Sequence, residues 1–126
     1  MGCLMNVTLI LRPDLNAAVN YFSRFQACAT DSHWNGLKRI LAFIKGTVHL
    51  KLFHPKSNSV ETVVGYADAS YGEPPDGKST SGFLLEFFGA AVVWNTKRQT
   101  VVARSTAESE IIALKEACDE LLWILN

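Results

Sequence analysis

The sequence predicts an α+β fold, in which a three-stranded antiparallel meander with a packed helix is preceded by two amphipathic helices. Three strand-like segments follow one another at residues 63–69, 82–88 and 91–94. Successive strands with short links usually pair antiparallel. A helical segment with a capping signal starts at Ser105, directly after them. Before residue 57, apolar residues recur at helical spacing, which predicts helices there.

The first half of the chain predicts two helices. Pro13 suits a first helical turn. The apolar residues that follow it at helical spacing are Leu15, Val19, Phe22 and Phe25. A second helix should open near Thr30 and stop at Gly46, because short polar residues cap helix starts and glycine ends helices. Its apolar stripe, which we expect in the core, comprises Trp34, Leu37, Ile40, Leu41 and Ile44.

Among the segments that link the predicted elements and the basic residues of the second helix, two have an alternative interpretation. A short strand is predicted at residues 50–53, and the loop at 55–59 is the best candidate domain boundary. Lys38, Arg39 and Lys45 lie on a solvated helix face or contact a phosphate backbone. The polar link at residues 95–99 is either a solvated turn or a contact to substrate.

Composition limits the classes of function. The 126 residues are 48% hydrophobic, which is enough for a core, and the net charge of +0 gives the whole molecule no attraction to nucleic acid. Any such binding must come from local patches. Three widely spaced cysteines (Cys3, Cys28 and Cys118) indicate buried thiols in a reducing compartment. No segment suits a membrane span or a secretory leader, so we expect no membrane contact and a cytoplasmic location, with the nucleus as the alternative.

Two carboxylates carry the chemistry of the second half. Asp68 follows the β-branched run Thr62-Val63-Val64, which predicts a buried strand with the acid at its end. Ser105 and Glu108 have capping-box spacing, so Glu108 has a structural role. Glu110 falls on the helix side of Leu114, Ala117 and Leu121 and should face the core.

Paired carboxylates repel unless a cation or a shared proton offsets their charge. Mg²⁺ prefers such oxygen ligands, and bound to them it can activate water and stabilise a phosphodiester under attack. The alternative is that Asp68 merely ends a strand and Glu110 complements the positive end of a helix.

Seven motifs occur in an order that resembles the Pol polyprotein of copia-type (Ty1/copia) retrotransposons, over nearly the whole chain. They are Leu11-Arg12-Pro13-Asp14-Leu15, Leu37-Lys38-Arg39-Ile40-Leu41, Lys45-Gly46-Thr47, Gly65-Tyr66-Ala67-Asp68-Ala69, Lys78-Ser79-Thr80-Ser81-Gly82, Trp94-Asn95-Thr96-Lys97-Arg98-Gln99 and Glu108-Ser109-Glu110. The resemblance implies reverse transcriptase thumb and connection helices at residues 1–57. It implies the N-terminal part of a ribonuclease H-like domain at residues 60–126.

In that family the ribonuclease H domain cuts the RNA strand of RNA–DNA hybrids with Mg²⁺ held by acidic residues. The resemblance implies that Asp68 and Glu110 are the catalytic and metal-binding residues. Lys78, Lys97 and Arg98 would contact the backbone of the hybrid, which is recognised by shape and phosphate more than by base. The chain departs from the family at Ser70-Tyr71 and at Ile111.

The family's third and fourth acidic ligands would lie beyond Asn126, which predicts a truncated domain, a fragment of the polyprotein. It would bind Mg²⁺ weakly or not at all and be inactive alone. It would also have an unfinished sheet edge through which it self-associates. The alternative function is a non-catalytic retrotransposon remnant or a co-opted protein-interaction module.

Overall fold

A computed structural model describes residues 1–56, 63–74 and 76–126. Two compact units, Met1–Leu52 and Phe53–Asn126, divide the chain. The elements are α1 (Gly2–Ile10), a 3₁₀ turn (Pro13–Leu15), α2 (Asn16–Ser23), α3 (Asp31–Gly46), β1 (Val63–Glu73), β2 (Lys78–Phe87), β3 (Ala90–Arg98) and α4 (Thr106–Leu125). The fold is therefore α+β, and the described residues form one three-stranded antiparallel sheet and four α-helices. The predicted boundary between residues 57 and 60 falls outside the described residues.

The first unit is held together by apolar side chains of the 3₁₀ turn, α2 and α3. Leu15, Val19 and Ile40 form its buried cluster. Helix α3 begins as predicted: Thr30 Oγ1 accepts from the backbone N–H of His33 at 3.4 Å, while Thr30 N donates to His33 Nδ1 at 3.2 Å. This reciprocal cap satisfies two backbone groups at the helix start.

Three predictions for the first 56 residues are wrong. Three α-helices, not two, precede the sheet. The first of them, α1 (GCLMNVTLI), was not predicted because it is apolar on most sides and its sequence shows no helical period. Trp34 and Leu41 are 59% and 49% exposed instead of lying in the core. Residues 50–53 form no strand, since no described strand pairs with them.

The sheet has the order β1-β2-β3, with both pairings antiparallel. A two-residue turn joins β2 to β3, and both its residues, Phe88 (φ 55) and Gly89 (φ 76), have the positive φ of a type I′ turn. In β1 the register shifts between Ser70 and Glu73, where Gly72 has φ 61, so a bulge lets the strand continue.

Several strand predictions need correction. Strand β1 extends to Glu73, so Asp68 lies inside it and not at its end. Strand β2 begins at Lys78, and residues 95–98 belong to β3 instead of a polar link, because they pair with β2 residues 80–83. Val63 and Val64 are 39% and 37% exposed, since β1 is an outer strand of the described sheet.

Helix α4 packs on β1 and β2. Its buried positions, Ser109, Ala113 and Ala117, recur every four residues and are small, which allows the helix to approach the sheet closely. The three cysteines are all exposed, contrary to the prediction of buried thiols. None of the helices in the described part of the chain is long and apolar enough to span a membrane.

Candidate functional site: a cleft between β1 and α4

Asp68 lies in β1, directly opposite Gly82 of β2. Because side chains alternate along a strand, Asp68 belongs to the face opposite that of its neighbours Gly65 and Ala67. Asp68 borders two clefts: it shares one with Tyr66, Ala67 and Gly82, and the other with Gly65 and Ala67. Asp68 is exposed, and its strand is an outer strand of the described sheet.

Glu110 is placed by the cap of α4. Ser105 Oγ accepts from Glu108 N at 3.1 Å, and a carboxylate oxygen of Glu108 accepts from Arg104 N at 2.6 Å. Glu108 therefore has a structural role at the helix start, as predicted, but its carboxylate accepts from Arg104 N and not from Ser105 N, as a full capping box would require. Glu110 is exposed and borders the core instead of facing it, because Ser109, one residue earlier, takes the sheet-facing position.

The structure brings Asp68 and Glu110 to the same cleft, which has a volume of ≈ 570 Å³. Gly65 and Ala67 of β1 form one wall, and Ala107, Ile111 and Leu114 of α4 form the other. No group of three or more His, Cys, Asp or Glu side chains with metal-ligand geometry occurs among residues 1–56, 63–74 and 76–126. Asp68 and Glu110 are therefore two acidic residues at the border of one cleft, and its other lining residues are small or apolar.

The three basic residues predicted to contact nucleic acid are not among the residues that line this cleft. The Lys97 side chain is 59% exposed, and its Nζ lies 3.8 Å from Glu116 of α4. Lys78 is half-buried at the start of β2 and pairs in register with Glu73.

Arg98 ties the end of β3 to the β1–β2 connection. Its guanidinium lies 3.3 Å from a carboxylate oxygen of Glu73, donates to the Glu73 carbonyl at 2.9 Å and pairs with Asp76. The hydrogen bond from Arg98 lowers the pKa of Asp76. These contacts give Arg98 a structural role in the described residues.

A buried polar cluster between β2 and the start of α4 has no counterpart in the sequence predictions. Gln99, directly after β3, is 1% exposed, and its Nε2 donates to Ser81 Oγ at 3.0 Å and to the Ser109 carbonyl at 2.9 Å. A polar residue after a strand indicates a loop, so the pattern gave no reason to expect burial.

Comparison with known proteins shows which proteins this chain is similar to. Two matched relatives are Pol polyproteins: the retrovirus-related Pol polyprotein from transposon TNT 1-94 of Nicotiana tabacum is 37% identical over 98% of this chain, and that from transposon RE2 of Arabidopsis thaliana is 37% identical over 91%. The chain spans only 9% and 8% of their lengths. A third relative, secreted RxLR effector protein 161 of Plasmopara viticola, is 37% identical over 98% of this chain and 87% of its own length.

No family model and no solved structure matches the chain. The sheet and the two-carboxylate cleft define an α+β protein with a candidate acidic site. The chain belongs to the family of copia-type retrotransposon Pol polyproteins and corresponds to a small part of them.

Proposed function

We propose that residues 60–126 are the N-terminal part of a ribonuclease H-like domain and that residues 1–57 derive from the thumb and connection of a reverse transcriptase. In the full-length ancestor, the domain would hydrolyse the RNA strand of RNA–DNA hybrids in the cytoplasm or nucleus. The observation that carries this proposal is that Asp68 and Glu110, from separate elements, line one cleft.

The residues of the cleft fit Mg²⁺ in their donor chemistry. Two exposed carboxylates offer the hard oxygen ligands that this ion takes, and an open cleft leaves room for the waters that it retains. Asp68 and Glu110 would hold it. When bound at such carboxylates, Mg²⁺ lowers the pKa of a coordinated water and polarises phosphoryl oxygens. With only two carboxylates, binding by this chain should be weak.

The chain's own groups would orient the hybrid. Exposed Lys97 offers a point charge for a phosphate, and Lys78 lies at the start of β2. Arg98 would reach a phosphate only by giving up part of its pairing with Glu73 and Asp76. With a net charge of +0, such contacts would position the backbone without strong attraction.

The test is a hybrid-cleavage assay in Mg²⁺ with this chain and with a chimera. The chimera is extended at its carboxyl end by the next segment of the Nicotiana tabacum polyprotein, and both proteins are also made as Asp68→Asn. We expect no appreciable cleavage by this chain and cleavage by the chimera that Asp68→Asn abolishes. An inactive but folded chimera, or a chimera unaffected by Asp68→Asn, would contradict the proposal.

A second candidate is a non-catalytic module that binds another protein. It is favoured by the Plasmopara viticola relative, 87% of whose length corresponds to this chain. It is also favoured by exposed apolar residues on α4, namely Ile111, Leu114, Leu122, Trp123 and Leu125. Inactivity of the chimera together with normal folding would support this candidate.

A further inference from the structure

The buried Gln99 amide connects the two elements that carry the candidate site. Its Nε2 donates to Ser81 Oγ and to the Ser109 carbonyl. Ser81 precedes Gly82, which pairs with Asp68, and Ser109 precedes Glu110. One side chain therefore links the positions next to both carboxylates.

The orientation of the Gln99 amide follows from its partners. The Ser109 carbonyl can only accept a hydrogen bond, so the amide nitrogen must face it. The oxygen Oε1 of Gln99 is buried and has no hydrogen-bond partner among the described residues. A buried unpaired oxygen is costly, so an apolar side chain of the same length would avoid this cost. Gln99 is thus not explained by packing alone.

The backbone of Gln99 is itself held in place by a hydrogen bond to β2. Its N–H donates to the Ser79 carbonyl at 2.9 Å, which continues the pairing of β2 with the chain beyond β3. Because Gln99, Ser81 and Ser109 are each at most 1% exposed, water does not compete for these bonds.

We infer that Gln99 is a positioning residue that, through Ser81 and Ser109, sets the placement of Glu110 relative to Asp68. The inference rests on the proposed function in so far as these carboxylates bind a metal ion together. Removing hydrogen bonds made directly to metal ligands typically changes metal affinity by tenfold or more, and Gln99 is bonded to the residues that precede Glu110 and Gly82.

The chain offers a matched pair of serines for the test. Ser79 and Ser81 are both buried on β2, but Ser79 Oγ accepts from Gly72 N at 3.2 Å and, among the described residues, makes no side-chain hydrogen bond to Gln99 or α4. Ser81→Ala removes one of the two hydrogen bonds that Gln99 Nε2 donates, whereas Ser79→Ala removes a similar buried hydroxyl that does not bond to Gln99. Gln99→Met keeps the side-chain length and removes both hydrogen bonds.

The measurement is titration of each protein with Mn²⁺, followed by paramagnetic broadening of backbone amide signals in NMR spectra, with urea denaturation to record stability. The double variant Asp68→Asn/Glu110→Gln gives the baseline. We expect the dissociation constant for Mn²⁺ to rise about tenfold in Gln99→Met, less in Ser81→Ala, and to stay unchanged in Ser79→Ala. Equal affinities in all of these single variants would overturn the inference.

A second measurement separates this inference from the proposed function. If the wild-type chain binds Mn²⁺ no better than the baseline variant, the metal site fails, and amide hydrogen exchange then decides the role of Gln99. Faster exchange at the start of α4 in Gln99→Met and Ser81→Ala, but not in Ser79→Ala, would support it. Unchanged exchange in all three would overturn it.

Discussion

The Nε2 atom of Gln99 lies 2.9 Å from the carbonyl oxygen of Ser109, so the chain just beyond β3 is bonded to the start of α4 inside the protein. The bond spans ten residues and joins a sheet to a helix. This hydrogen bond is directional and fixes the positions of two atoms, whereas apolar contacts between α4 and the sheet tolerate small sliding movements.

The first prediction concerns the cap of α4. Ser105→Ala should lower the free energy of unfolding by about 1 kcal/mol, because Glu108 N loses its side-chain acceptor. Urea denaturation measures this change. Ser105→Asp keeps an acceptor and should restore most of the stability; an Asp variant as unstable as the Ala variant would contradict the capping role.

The second prediction concerns the carboxyl group of Asp76. Arg98 donates a hydrogen bond to it and lowers its pKa below the ordinary value of 3.8. Since the pKa is lower in the folded than in the unfolded chain, the stabilisation is present above pH 3.8 and is lost as the pH falls through the folded-state pKa. In Arg98→Gln the pKa of Asp76 should rise towards 3.8.

NMR titration of carboxyl carbons measures these pKa values, and Asp14 serves as an internal control. Its pKa is lowered by a hydrogen bond from Arg12, in the other unit of the chain. We expect Arg98→Gln to leave Asp14 unchanged. An unchanged Asp76, or an equal shift of both groups, would show that the pairing with Arg98 is not the cause.

The third prediction contrasts two glycines of α3. A Cβ at Gly36 would lie 2.2 Å from Cζ of Phe22, whereas a Cβ at Gly46 would meet nothing within 4 Å. Gly36→Ala should therefore destabilise the protein by about 1–2 kcal/mol, because overpacking outweighs the better helix propensity of alanine. Gly46→Ala should be neutral or slightly stabilising.

Thermal or urea unfolding of the two variants tests this contrast, since both make the same substitution in one helix. The double variant Phe22→Leu/Gly36→Ala should lose less stability than the two single changes predict together, because the shorter side chain makes room. Additive losses would show that Phe22 is not the obstacle.

Signals confined to a few neighbouring residues predicted this structure well. The caps at Thr30 and Ser105 are visible in the sequence because donor and acceptor lie three residues apart. Burial of Val63 and Val64 was predicted wrongly, because burial depends on which strands lie beside β1. A strand's own residues do not encode that.

The same distinction applies to the candidate site. Asp68 and Glu110 could be singled out from their motifs, and both line one cleft. Gln99 could not, because its partners Ser81 and Ser109 are 18 and 10 residues away. Only the folded chain shows that they meet. The polar half of β3 was missed for a similar reason, since its pairing partner is another strand.

The last prediction concerns self-association, which we propose to occur between two copies of the chain through the outer edge of β1. In the described sheet β1 pairs only with β2, so its other edge leaves backbone groups unpaired, and such edges pair readily with another chain. Val64→Lys places a charge on this edge and should lower the average mass measured by light scattering at high protein concentration.

The control is Leu122→Lys on α4, where the side chain is 60% exposed and the same charge is introduced. If Leu122→Lys disperses the protein and Val64→Lys does not, association uses the apolar surface of α4 instead of the sheet edge. A wild-type chain that stays monomeric at high concentration would contradict the proposal altogether.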